Sequence, residues 1–189
     1  KNNLYNSIDI DTIIEKISIK NLKNKKNLRD AIYDLYVIDK NKENEKVHNH
    51  QVFDHGKEVI ERIKNVPPGG GLQDIPDCYL NDHLKRMKSG FYGSGGFVKN
   101  VYGRLEWDKP SGTIIAGIRK ITCGRLFHPE SDRLLTVREC ARLQTFNDKF
   151  QVFGSFNNQY TLVGNAVPPL FAKICGDIIK TIIKSNFFI

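Results

Sequence analysis

The sequence predicts an α+β fold, and three observations predict it. Apolar residues recur at helical spacing near both ends of the chain. The stretch from Val66 to His128 is instead broken by glycine and proline and carries short β-branched and aromatic runs. A composition of 40% hydrophobic and 26% charged residues is that of a chain that buries a core. At 189 residues the chain suits one compact unit, read in three regions: a helical connector over 1–65, a strand-and-loop region over 66–128, and a closing segment over 129–189.

Residues 8–19 carry an apolar stripe at Ile10, Ile13, Ile14 and Ile17, which predicts a helix. Asn27–Ile38 predicts a stronger one, with Asn27 as N-cap and Leu28, Ile32, Leu35 and Tyr36 on one face. Asp39–Lys46 is a polar loop, and Lys57–Lys64 a short helix that ends before Pro67. PPGGG at 67–71 and GSGG at 93–96 are loops. Strands are expected at Phe97–Tyr102 and Thr113–Ile118, with Ile121–Phe127 a weaker candidate. Thr136 and Glu139 have the spacing of a capping box, which starts a helix running to Gln144 and expected to pack on the strands. Pro168 and Pro169 suit the start of a last helix. Its apolar pairs at 170/171, 174/175, 178/179 and 182/183 form a stripe broad enough to need a sizeable partner surface. That helix is expected to project or to pack only partly.

The net charge is +8. Lys85–Arg125 concentrates it, with nine basic residues against Glu106 and Asp108, interleaved with Phe91, Tyr92, Phe97, Tyr102 and Trp107. That pattern is the footprint of a polyanion-binding surface or, equally well on charge alone, a solvated basic face. No apolar run approaches a membrane span, and KNNLYNSIDI lacks the apolar core of a secretory signal. The first residue is Lys, not Met, so the chain is expected to be a fragment or a processed product. Cys78, Cys123, Cys140 and Cys175 are widely spaced, which argues against a disulfide framework or a cysteine zinc site and makes a reducing cytoplasm the simpler location. His48, His50 and His55 have some metal-ligand spacing but sit in a loop without cysteine, so no metal is expected.

Three longer strings carry more. YGRLEWDKPSGTI (102–114), HPESDRLLTVRECARLQTFNDKF (128–150) and QYTLVGNAVPP (159–169) closely resemble the C-terminal motifs of DNA (cytosine-5)-methyltransferases. LRDAIYDL (28–35) and VPPGGGLQDIP (66–76) fall at corresponding places in bacterial members, so the resemblance covers about residues 25–185. Upstream the family carries a glycine-rich cofactor motif, a Pro-Cys nucleophile motif, Glu-Asn-Val and Arg-x-Arg. Here no proline precedes a cysteine, Glu43-Asn44 continues into Glu45, and no Arg-x-Arg occurs.

The resemblance therefore implies the target-recognition domain and closing motifs of such an enzyme, probed without its catalytic half and expected to be inactive alone. It implies S-adenosylmethionine as cofactor once that half is present, and duplex DNA as partner. The last helix would pack on the absent nucleotide-binding catalytic domain, with self-association as its substitute. On this reading Arg104, Thr113, Arg119 and Lys120 face DNA, Thr113 through a backbone phosphate, and Gly95 and Gly96 approach the space left by a flipped cytosine. Asn165 and Ala166 match a turn against the amino-acid end of the cofactor. Thr136, Arg138 and Glu139 match structural positions, with Arg138 and Glu139 as a pair, and Asn147 replaces the family's usual proline. A stand-alone, non-catalytic DNA-binding remnant or regulator is the alternative reading.

Overall fold

A computed structural model describes residues 11, 12, 14, 15, 26–35, 47–91, 100–121 and 124–186. Contacts divide the chain into two units: residues 26–166, and residues 1–25 with 167–189.

In the larger unit the order is α1 (Leu28–Ile32), α2 (Lys57–Lys64), α3 (Asp82–Lys88), β1 (Gly103–Arg104), β2 (Arg125–Phe127), α4 (Val137–Leu143) and α5 (Phe156–Asn165). Local chemistry sets the helix starts. Asn27 accepts the amide of Asp30 at 3.0 Å while the Asp30 carboxylate accepts the amide of Asn27, a reciprocal box that satisfies two orphan donors of α1. Thr136 and Glu139 do the same for α4. Asn81 caps α3 by accepting the Leu84 amide at 3.0 Å. Burial does the rest: Leu28 and Ile32 of α1 are fully enclosed, each worth roughly 1.5–3 kcal/mol over exposure.

The strands differ from expectation. β1 and β2 are parallel, with Gly103 opposite Arg125, Arg104 opposite Phe127, and a bulge between. Among the described residues of the three candidate segments, a strand is found in the weaker one, 121–127. The 97–102 run pairs only from Gly103 onward; its residues 97–99 lie outside the described residues, and Val101–Tyr102 are a turn. The 113–118 run is loop and turn. Two side chains fix this arrangement. A Cβ on Gly103 would stand 2.7 Å from the Arg125 side chain, so the close crossing of β1 and β2 needs glycine. Tyr102 takes φ 56°, costly for a bulky residue, while its ring stacks on Phe127 at 6.0 Å and its hydroxyl accepts from Arg62.

Helix α4 packs against α1 and α5 rather than on the strands. Its residues Val137–Ala141 are buried on every side, as befits a helix at the centre of a layer. Helices α3 and α5 gave no recognised sequence signal. The 8–19 stripe is described only at residues 11, 12, 14 and 15, all helical, and the 39–46 loop, Tyr36 and Ile38 lie outside the described residues.

In the smaller unit, α6 (Pro169–Asn186) starts at the expected prolines. Lys173 and Asp177 pair at 2.9 Å on its polar face. Leu170, Phe171, Ile179 and Ile183 are 47–58% exposed. No helix among the described residues is long and apolar enough to cross a membrane.

Candidate nucleic-acid interface

Loop 110–120 is partly exposed, with Ile114 and Ile118 buried, and the same unit holds a buried polar network centred on Arg104. The side chain is 4% exposed. Nε donates to the Val66 carbonyl (2.6 Å), Nη1 to His128 (3.1 Å) and Ser131 (3.1 Å), and Nη2 to Ile63 (2.7 Å) and the Asp132 carboxylate (2.7 Å). All five guanidinium donors are thus spent on four carbonyls and one carboxylate. The expectation that Arg104 reads DNA is corrected: no donor remains for a base edge. It ties the 63–66 turn, β1 and the 128–132 loop together.

Arg138 and Glu139, expected as structural residues, are both fully buried and bond different partners. Glu139 is fully buried and bidentate with Arg133 (2.8 Å and 2.8 Å). Burial would raise its pKa, but Arg133's hydrogen bonds and charge outweigh that and hold the carboxyl below its ordinary range. Arg138 bonds elsewhere, to the carbonyls of His48 (2.8 Å), Asn147 (3.2 Å) and Phe150 (2.5 Å). The two residues brace different loops from one helical turn. Sequence reasoning missed Arg133, because six residues from Glu139 is no helical spacing and the pair closes through a loop. Asn147, in place of proline, accepts the Lys149 amide at 2.9 Å and so closes its own turn.

His50 is fully buried. Nε2 donates to the Leu35 carbonyl (2.9 Å), so Nδ1 is the acceptor facing the Thr136 hydroxyl (2.9 Å). Both nitrogens serve the fold. His128 is buried too, its Nδ1 accepting the amides of Glu130 (3.2 Å) and Ser131 (3.0 Å). Burial and the Arg133 charge push its pKa from 6.5 down to about 4. The folded state therefore refuses a proton that the unfolded chain takes up below pH 6.5. Stability is expected to fall as pH drops from about 6.5 to about 4, by up to about 3 kcal/mol from this group. Urea midpoints across that range check it, and His128→Asn, which keeps an acceptor but does not titrate, should flatten the dependence.

The loop exposes Thr113 and Lys120 and half-buries Arg119. A cleft of about 590 Å³ lies beside it, lined by Asn100, Glu106, Lys109, Thr113 and Arg125 among others. Much of the basic excess is spent internally. Arg125 donates to the Gly69 and Arg104 carbonyls, Lys109 pairs with Glu106 at 2.9 Å, and Lys88 pairs with Asp77 at 2.9 Å. Lys85, Arg86 and Lys120 remain exposed. Gly95 and Gly96 lie outside the described residues.

Gly164 joins the loop to the closing motif. A Cβ there would fall 2.3 Å from the backbone of Ile115 and Ala116, so α5 reaches the loop only because this residue is glycine. Thr113 and Asn165 are thereby held on neighbouring pieces of chain. Asn165 is the exposed last residue of α5, and half-buried Ala166 its C-cap. The helix end is anchored by Gln144 Nε2 donating to the Val163 carbonyl (2.5 Å) and by the Tyr160 hydroxyl donating to the Leu135 carbonyl (2.8 Å). The C-terminal end of α5 carries the negative end of the helix dipole and so favours a positively charged group. Cys140 is buried, and burial with the Glu139 charge pushes its thiol well up, so it offers no thiolate.

The sequence profile of the C-5 cytosine-specific DNA methylase family matches residues 2–183. The chain is 34% identical over 156 residues to Type II methyltransferase M.AgeI of Thalassovita gelatinovora, covering 69% of this chain and 36% of that protein. It is 36% identical over 144 residues to Type II methyltransferase M1.HphI of Haemophilus parahaemolyticus, covering 76% and 33%. It is 42% identical over 135 residues to DNA (cytosine-5)-methyltransferase 1A of Oryza sativa subsp. japonica, covering 66% and 9%. The chain belongs to the C-5 cytosine-specific DNA methylase family, whose methyl donor is S-adenosylmethionine. It spans about a third of the length of the bacterial relatives it matches.

Proposed function

We propose that this chain is the DNA-recognition and cofactor-closing portion of a restriction-modification cytosine-5 methyltransferase acting on duplex DNA. The observation that carries the reading is the loop 113–120, which bears Thr113, Arg119 and Lys120 and packs by its backbone on Gly164, beside the helix end bearing Asn165. Thr113 and the two bases contact phosphates and fix register, residues 66–128 recognise the target, and Gly95 and Gly96 approach the vacated base position. Asn165 and Ala166 hold the amino-acid end of S-adenosylmethionine, which supplies the methyl group. Residues 1–65 connect, and 129–189 close the site.

The nucleophile and the rest of the cofactor pocket come from polypeptide outside this sequence, since no cysteine here follows a proline. The exposed apolar residues of α6 dock on that nucleotide-binding half, or on a second copy when it is lacking. That cysteine pattern also favours the second reading, a non-catalytic DNA-binding remnant.

Fluorescence anisotropy with a labelled duplex tests the proposal. Affinity should fall steeply between 50 and 200 mM salt, with a log–log slope of about one per phosphate contacted. Equal affinity at both salts overturns it, and tritium transfer from S-adenosylmethionine to DNA by this chain alone overturns the division of labour.

A further inference from the structure

Arg119 and His55 each hold a buried polar atom without a partner beside one aromatic ring, that of Phe53. The Arg119 guanidinium lies 4.3 Å from the Phe53 ring centroid. Its Nε is buried, and among the described residues it has no hydrogen-bond partner. His55 packs edge-on against the same ring, 4.8 Å between centroids and 75° between planes, and its Nε2 is likewise buried without a partner. Everywhere else in this unit the buried arginines are used: Arg104, Arg133 and Arg138 each bond several acceptors. Buried donors left unmade are costly, so two of them around one ring point to an absent acceptor.

Stacking on Phe53 fixes the guanidinium plane without using its donors, which preorganises them for a planar or forked acceptor. Burial first, and the Arg119 charge second, lower the pKa of His55 while exposed Asp54 opposes them. His55 is then a neutral imidazole that donates one N–H, and Arg119 brings the single positive charge. A monoanion that only accepts hydrogen bonds matches that set. A phosphodiester is such a group, and exposed Lys120 beside Arg119 and exposed Thr113 extend the same loop along a polyanion.

We propose that Arg119 and His55, flanking Phe53, together seat one phosphate of a bound DNA strand. This deepens the DNA-recognition reading and rests on it. A carboxylate from another polypeptide would satisfy the same donors and is the competing occupant.

The whole chain is titrated with a labelled duplex between 50 and 200 mM salt. Arg119→Gln should lower the log–log salt slope by about one. His55→Phe should weaken binding by about three- to tenfold with the slope unchanged, because it removes a neutral donor. In the wild type, the His55 ring-nitrogen NMR signals should move on adding duplex, a readout that needs no variant and so survives a variant that fails to fold. Wild-type binding with a steep salt slope, unmoved His55 signals and an unchanged slope in Arg119→Gln would overturn the phosphate seat and leave the recognition reading standing. No duplex binding by the wild type would overturn both.

Discussion

Arg104→Met is expected to destabilise the protein by about 3–5 kcal/mol. The change removes the side-chain donor from the Val66 and His128 carbonyls and the cation from Asp132, whose side chain is 32% exposed, while the Ile63 and Ser131 carbonyls keep the amides of Val66 and Arg133. Arg104→Lys should recover little, because one ammonium cannot span acceptors that a planar fork reaches in three directions. Urea denaturation measures both. The competing outcome is specific: a base-reading Arg104 would leave the urea midpoint of the lysine variant unchanged and lower only DNA affinity.

Glu139→Gln is expected to cost a similar amount, about 3–5 kcal/mol, because Arg133 is then left charged, buried and without a counter-ion. The carboxylate also accepts the Thr136 amide at 2.7 Å, so the start of α4 loosens at the same time. The double variant Arg133→Met with Glu139→Leu should be less destabilised than the sum of the single ones, since apolar replacement of both partners leaves no lone charge. A double-mutant cycle in urea reads the coupling, expected at about 1–3 kcal/mol. Additivity would mean that the two groups are not an energetic pair.

These two arginines mark the boundary of what the sequence could say. The excess of nine basic over two acidic residues in Lys85–Arg125 reads equally as a polyanion-binding surface or as a solvated basic face when charges are counted along the chain. Folding turns Arg104 inward and engages Arg125, Lys88 and Lys109 with carbonyls and carboxylates. Net charge over a segment is a property of composition, whereas the direction in which each cation points depends on what packs behind it.

The helices with caps were legible because their signals are local. Asn27 and Asp30, Thr136 and Glu139, and Pro168-Pro169 each fix a helix start within a few residues. The strands were not, because elements of two and three residues hold no period to detect. The β-branched run at 113–118 has strand composition yet finds no strand partner. It is held as a loop by the approach of Gly164 to its backbone, a contact between residues about fifty positions apart.

By itself, then, the sequence determined the family, through the motifs at 102–114, 128–150 and 159–169, and the capped helices, through hydrogen bonds between near neighbours. Only the tertiary structure decided which charged side chains are frame and which are surface. It joined Arg133 to Glu139, His50 to Thr136 and Leu35, and Arg119 and His55 to the ring of Phe53. The physical reason is one of range. A cap or a helical stripe is closed by residues three or four apart, while the worth of a buried charge is set by partners that only the folded chain brings within about 3 Å.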